Sequence, residues 1–279
     1  MSFDRLRVQT ICESLVGCKD VDKWNSYQSA FQSLILSPAN CAVLTGALRD
    51  DASDLYAKGL LSFCEGISNI DRQAYSWSAV KLYYAVFYFL RASLAAANYS
   101  LVRNKSLYQL LIEPGQSPQK KKQESYRNDH VAIVNIYADV LGVSDPLSAN
   151  DIAGQNPYHW LMDKRHQVHY RQRIFHDPSP PDFMIEIVQK LESVTLHTLL
   201  STYLEREDLI YCFLESDACV ALPLLRGFRT MQDLARAGIS VRIVEEQSNL
   251  LKVLTASEDA QWKDLDQFLG GMTRRDSNG

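Results

Sequence analysis

The segment Ser76-Trp77-Ser78-Ala79-Val80-Lys81-Leu82-Tyr83-Tyr84-Ala85-Val86-Phe87-Tyr88-Phe89-Leu90-Arg91-Ala92-Ser93-Leu94-Ala95-Ala96-Ala97 constrains this chain more than any other. Its residues suit a helix and are apolar nearly all the way round, so other elements must enclose it. A membrane span would need ~20 apolar residues. Lys81 and Arg91 bound the longest uncharged stretch, Leu82 to Leu90, at about half that length, so no membrane association is expected. The helix is expected at the centre of a bundle, with its aromatics packed in the core. Lys81, Tyr84, Tyr88 and Arg91 recur at steps of three and four and share one face, which is either wet or lines a cleft.

The composition agrees with helices. Twelve glycines and nine prolines leave little turn chemistry for a many-stranded sandwich or barrel. The net charge of −4 argues against coating nucleic acid by bulk electrostatics, but leaves room for a local basic patch. Cys12, Cys18, Cys41, Cys64, Cys212 and Cys219 show no C-x-x-C spacing and sit mostly among apolar neighbours, as small buried hydrophobes do. Met1-Ser2-Phe3-Asp4-Arg5 holds no apolar run of a secretory leader. A cytoplasmic protein is expected.

Along the chain, Trp24, Tyr27, Phe31, Leu34 and Ile35 recur at helical spacing between Val21 and Leu36. A short helix is predicted over Ala39–Leu48. Asp50, Asp51, Ser53 and Asp54 then offer caps for a further helix over Leu55–Ile70. After the central helix, Tyr99 to Lys122 reads as an insertion, in the form of a hairpin, with a turn at Glu113-Pro114-Gly115. Lys120-Lys121-Lys122 is most simply a solvated loop. Helices are predicted over His130–Leu141, from Pro157 onward, and over Phe183–Leu204. Glu205–Met272 reads as further helices with a candidate strand at Ile239–Val244, and Thr273–Gly279 as a frayed tail.

The helix from Pro157 leads into the one segment that concentrates groups titrating near neutral pH. Between Asp163 and His176 lie Lys164, Arg165, Arg171 and Arg173, with His166, His169 and His176 among them. On a continuous helix, Arg165, His169, Gln172 and His176 would form one stripe. Arginine beside histidine suits phosphodiester cleavage without metal. A neutral imidazole deprotonates an RNA 2′-hydroxyl, and guanidinium forks stabilise the charge growing on phosphorus. The simpler alternative is a basic helix end complementing the helix dipole. His166 and His169 have no carboxylate or cysteine at ligand spacing, so neither a metal nor another cofactor is expected. Phosphate-loop, dinucleotide, nucleophile-elbow and zinc-protease motifs are absent.

The order of these pieces resembles the HEPN superfamily, and within it the YaaC-like proteins. The resemblance rests on Trp24, on the Leu82-Tyr83-Tyr84-Ala85 helix, on the short insertion, and on the late Arg165…His169-Tyr170-Arg171 segment, and it spans about Trp24 to Leu204. It implies an all-α bundle that dimerises through the face holding the late basic helix. Many members are metal-independent endoribonucleases of defence or toxin systems; others bind RNA or act as scaffolds. Active members carry an arginine, then four to six residues, then a histidine, with Asn, Asp or His directly after the arginine. Here Arg171 to His176 has that gap, with Gln172 after the arginine. Arg165 is followed by His166, and His169 comes after three intervening residues.

These readings together predict an all-α, HEPN-like bundle over residues 51–204, N-terminal helices over 1–50 and a helical extension over 205–279. The expected function is action on RNA in a prokaryotic defence or stress system, as a homodimer. Arg165, His169, Arg171 and His176 would be catalytic, and Lys164, Arg173, Lys81, Tyr84 and Arg91 would contact phosphate. The alternative is a non-catalytic scaffold or sensor beside a partner ATPase or effector nuclease.

Overall fold

The computed structural model describes residues 5–120 and 128–243. Among these residues the chain is all-α, with one two-stranded sheet. The helices are α1 (Arg7–Leu15), α2 (Gln28–Gln32), α3 (Pro38–Asp71), α4 (Tyr75–Ala96), α5 (Asp129–Leu141), α6 (Pro157–His166), α7 (Ile185–Leu191), α8 (Leu196–Glu205) and α9 (Ala218–Arg236). No described helix is long and apolar enough to cross a membrane.

Helix α3 starts where the sequence allows it, with Pro38 at its first position and the Ser37 hydroxyl accepting from the Asn40 N–H. The predicted break between Leu48 and Leu55 does not occur, and α3 runs unbroken across residues 50 and 51, where a domain boundary was expected. Its acidic residues do act as caps, but for another helix. The Asp51 carboxylate accepts from the Arg7 and Val8 N–H groups at 2.8 and 3.0 Å, capping α1, which has no side-chain cap at its own preceding residue. Asp54 completes the contact with an ion pair to Arg7 at 2.5 Å.

Helix α4 is the central element, as its sequence requires, with α3 and α9 packed along it. The three helices meet around Phe89. A Cβ on Gly59 of α3 would lie 2.6 Å from that ring, and one on Gly227 of α9 would lie 2.9 Å from it. Only the missing side chains let the backbones close on the phenyl ring. Because α9 supplies Cys219, Val220, Ala221 and Leu222 to the same core, that helix beyond Leu204 is part of the bundle and not an addition to it.

The insertion is a hairpin, β1 (Tyr99–Asn104) paired antiparallel with β2 (Ser106–Leu111), turning through Lys105 in the left-handed region. It binds the N-terminal segment. Trp24 donates its indole N–H to the Arg103 carbonyl at 2.6 Å, and Asn104 donates to the Trp24 carbonyl. These two bonds pin the Trp24 backbone and side chain to the hairpin. Val21–Leu36 is a 3₁₀ stretch over Val21–Tyr27 followed by the short α2, not one helix.

The closing helix predicted over Phe183–Leu204 divides into a 3₁₀ turn at Asp182–Met184, α7 and α8. The Thr195 hydroxyl starts α8 afresh by accepting from the Thr198 N–H. Residues 239–243 form no strand, and the Arg242 N–H donates to Ser53 Oγ on α3. Lys121, Lys122, Val244 and the predicted helices and tail over 244–279 lie outside the described residues.

One polar cluster is enclosed in this frame. Arg226 of α9, 2% exposed, pairs with Asp145 at 3.3 Å and Asp233 at 2.9 Å. It also donates to the Tyr137 hydroxyl of α5 and to Ser93 Oγ of α4. Tyr158, in the first turn of α6, donates to Asp145 at 2.5 Å.

Two glycine substitutions should act in opposite directions. Gly59→Ala forces a methyl into the Phe89 ring and should lower stability by about 1–3 kcal/mol. Gly46→Ala, on the exposed side of α3 with open space at its Cβ, should raise it by up to ~1 kcal/mol. Urea denaturation of both variants checks the pair.

Candidate functional site

Helix α6 carries the first half of the basic segment. Asn156 caps it by accepting from the Tyr158 N–H, and Pro157 fills its first position. Lys164, Arg165 and His166 fall in its last turn, where positive charge complements the helix dipole. The α-helix then ends. Gln167–Arg171 forms a wider π-type turn, closed by the Gln172 N–H donating to the Gln167 carbonyl, and Gln172 is extended.

That turn removes the predicted stripe. Arg165, His169, Gln172 and His176 do not share a helical face. The His169 ring turns toward the start of α4, 5.8 Å from Trp77 and 4.5 Å from Tyr170. Arg171 folds back onto Asp163 at 2.8 Å. Arg173 and His176 are exposed, beyond the helix. The segment is tied down just after His176, where Asp177 accepts from the Ser76 N–H and caps α4.

Arg165 takes a different course. Its side chain lies under three tyrosines and the residue is only 4% exposed. Nη2 donates to the hydroxyls of Tyr84 and Tyr170, each at 3.1 Å. The guanidinium carbon sits 4.8 Å from the Tyr170 ring centre, 5.5 Å from Tyr84 and 5.6 Å from Tyr83. Nε has no partner, and no carboxylate among the described residues comes within ion-pair distance. Burying an unpaired charge costs several kcal/mol (about) even after relaxation. Contacts with ring faces return about 2 kcal/mol when desolvated. The guanidinium charge is therefore left without a compensating anion among the described residues.

Two imidazoles adjoin this guanidinium. His130 of α5 shares a 2.8 Å hydrogen bond between Nδ1 and the Tyr83 hydroxyl. Burial lowers the pKa of His130, and the positive charge of Arg165 lowers it further. His166 is shifted the same way, first by burial and then by Arg165. Both shifts favour the neutral imidazole, the form that can accept a proton.

The remaining predicted residues divide. Tyr84 and Tyr88 stack with ring centres 6.2 Å apart, next to Arg165. Arg91, one step further along that face of α4, lies over Phe87 at 5.7 Å with its Nε unpartnered, and burial lowers its pKa. Lys81 is neutralised by Glu65, and Lys164 points to Glu215 at 3.7 Å and over Trp160. The structure thus gathers Tyr84, Tyr88 and Arg165, sets His169 apart against Trp77, and adds Tyr83, His130 and Tyr170, which the sequence did not single out as site residues. Among the described residues, no three His, Cys, Asp or Glu side chains gather as a metal site would require. Open cavities of about 660 and 600 Å³ flank Ser193 and Val194, and no residue of the Arg165 cluster lines either.

No family model matches the chain, and neither a curated protein nor a solved structure matches it.

The histidine shifts have a consequence for stability. A histidine whose folded pKa lies below its unfolded value of about 6.5 binds fewer protons when folded. Stability is then fully present above that pH and is lost as pH falls through the folded pKa. His159, whose pKa burial alone lowers, adds to the effect of His130 and His166. Melting temperature should fall between about pH 7 and 5, and His130→Gln should flatten that fall.

Proposed function

We propose that this chain is an RNA-acting protein of a prokaryotic defence or stress system, built on a HEPN-like bundle, with Arg165 as its phosphate contact. The observation that carries the proposal is the Arg165 guanidinium, buried among Tyr83, Tyr84 and Tyr170 with no carboxylate partner. A phosphodiester supplies the missing charge on two non-bridging oxygens, which suit the planar fork of a guanidinium. The half-buried rings of Tyr84 and Tyr88 add faces on which unpaired bases stack. RNA, the defence setting and a homodimer through the α6 face come from the resemblance to the HEPN superfamily.

Metal-independent cleavage is the second reading, and the imidazoles of His130 and His166, both shifted toward the neutral form by burial and by the charge of Arg165, favour it. One of them would take the 2′-hydroxyl proton, the oxygen would attack the adjacent phosphorus, and the 5′-oxygen would leave as its bond to phosphorus breaks and take a proton from water, giving a 2′,3′-cyclic phosphate and a 5′-hydroxyl. This moves the base from His169 and His176, which the break after α6 directs elsewhere, to the imidazoles next to the guanidinium. A scaffold role beside a partner ATPase or nuclease uses the same surface without that step.

A fluorescently labelled single-stranded RNA tests these readings. Wild type should bind with a shallow salt dependence, close to −0.7 in log–log slope for each phosphate held. Arg165→Lys keeps the charge but loses the fork, and should weaken binding about tenfold or more. Cleavage that survives EDTA and leaves cyclic phosphate ends establishes the nuclease reading. RNA binding equal in wild type and Arg165→Lys overturns the proposed contact.

A further inference from the structure

The Arg165 site is covered. Tyr170 has an unusual combination of properties for a surface residue, being 64% exposed while its hydroxyl oxygen lies 3.1 Å from a guanidinium that is almost wholly buried. The Tyr84 hydroxyl oxygen lies at the same distance from the same nitrogen. Two oxygens therefore already occupy positions at Nη2 that two oxygens of an anion could take, and both belong to neutral phenols. The Tyr84 phenol is fixed on the central helix. The Tyr170 phenol sits on the π-type turn, two residues before the chain becomes extended, and its ring rests against His166 and His169.

We propose that Tyr170 is a displaceable cover for the phosphate site, its hydroxyl holding the place of one phosphate oxygen until RNA arrives. This rests on the reading that Arg165 contacts RNA phosphate. A rotation of the exposed side chain uncovers Nη2 without moving α4 or α6. The neutral hydroxyl is a weaker acceptor for guanidinium than an anionic oxygen, so RNA displaces it, whereas water alone gains little by doing so. Tyr84 stays and orients the fork. Tyr170 is thus a positioning residue that sets the affinity of the empty site for its ligand.

Tyr170→Phe separates this role from a merely structural one. The substitution keeps the ring over the guanidinium and removes only the competing oxygen, leaving a buried donor unsatisfied in the free protein. RNA binding should tighten by about threefold or more, with faster association, while a structural defect would weaken it. If Tyr170→Phe binds RNA equally well or more weakly while Arg165→Lys still weakens binding, the cover is wrong and the phosphate contact stands. If Arg165→Lys leaves binding unchanged, the contact itself fails and the cover fails with it.

Discussion

The ion network around Arg226 is the interaction on which the rest of the structure depends. Burial alone would lower the pKa of this arginine, but the phenols of Tyr158 and Tyr137 and the carboxylates of Asp145 and Asp233 outweigh it and raise it. The network joins α4 through Ser93, α5 through Tyr137, α6 through Tyr158 and α9 through Arg226 and Asp233. Removing one partner of such a pair strands a charge in the core and costs about 3–5 kcal/mol. Its geometry also sets the start of α6. Tyr158 fixes the helix at one end, and Arg165 then projects from the other end, under the tyrosines of α4.

Arg226 and Arg165 form a comparison within one molecule. Both are buried arginines close to tyrosines. Arg226 has two carboxylates and has hydrogen bonds on Nε, Nη1 and Nη2. Among the described residues Arg165 has no carboxylate partner, and its hydrogen bonds run from Nη2 to two phenols. Both residues are withdrawn from water, at 2% and 4% exposed, so the difference lies in what surrounds each guanidinium. A fold that places Asp145 and Asp233 against one guanidinium leaves the other to ring faces and phenols. That asymmetry, more than the density of histidines and arginines along the sequence, separates a structural arginine from a candidate ligand contact.

Much of the fold was legible in the sequence because burial pattern carries it. The all-round apolar helix could only be central, and the change of periodicity after Asn98 marked the hairpin. What failed were helix boundaries set by distant partners. Asp50, Asp51 and Asp54 look like caps for the residues after them, yet Asp51 caps α1, far away in sequence. Trp24 sits in a helical pattern, yet its carbonyl goes to Asn104. In the candidate site, Arg165 and Tyr84 were legible from their types and spacing. His130 and Tyr83 were not, because only the packing of α5 on α4 brings them to Arg165. Arg226 and Asp145 carried no local signal at all, since neither forms a motif with its neighbours.

The break after His166 decides which residues can act together. A helix continued to His176 would have set Arg165, His169, Gln172 and His176 on one face. The π-type turn instead sends His169 against Trp77, pairs Arg171 with Asp163, and leaves His176 exposed just before the Asp177 cap of α4. The turn carries Tyr170 back over the Arg165 guanidinium. With it, the guanidinium is held beneath one fixed phenol and one at the surface. The same backbone change that dismantles the linear arginine–histidine stripe therefore assembles the three-dimensional site in its place.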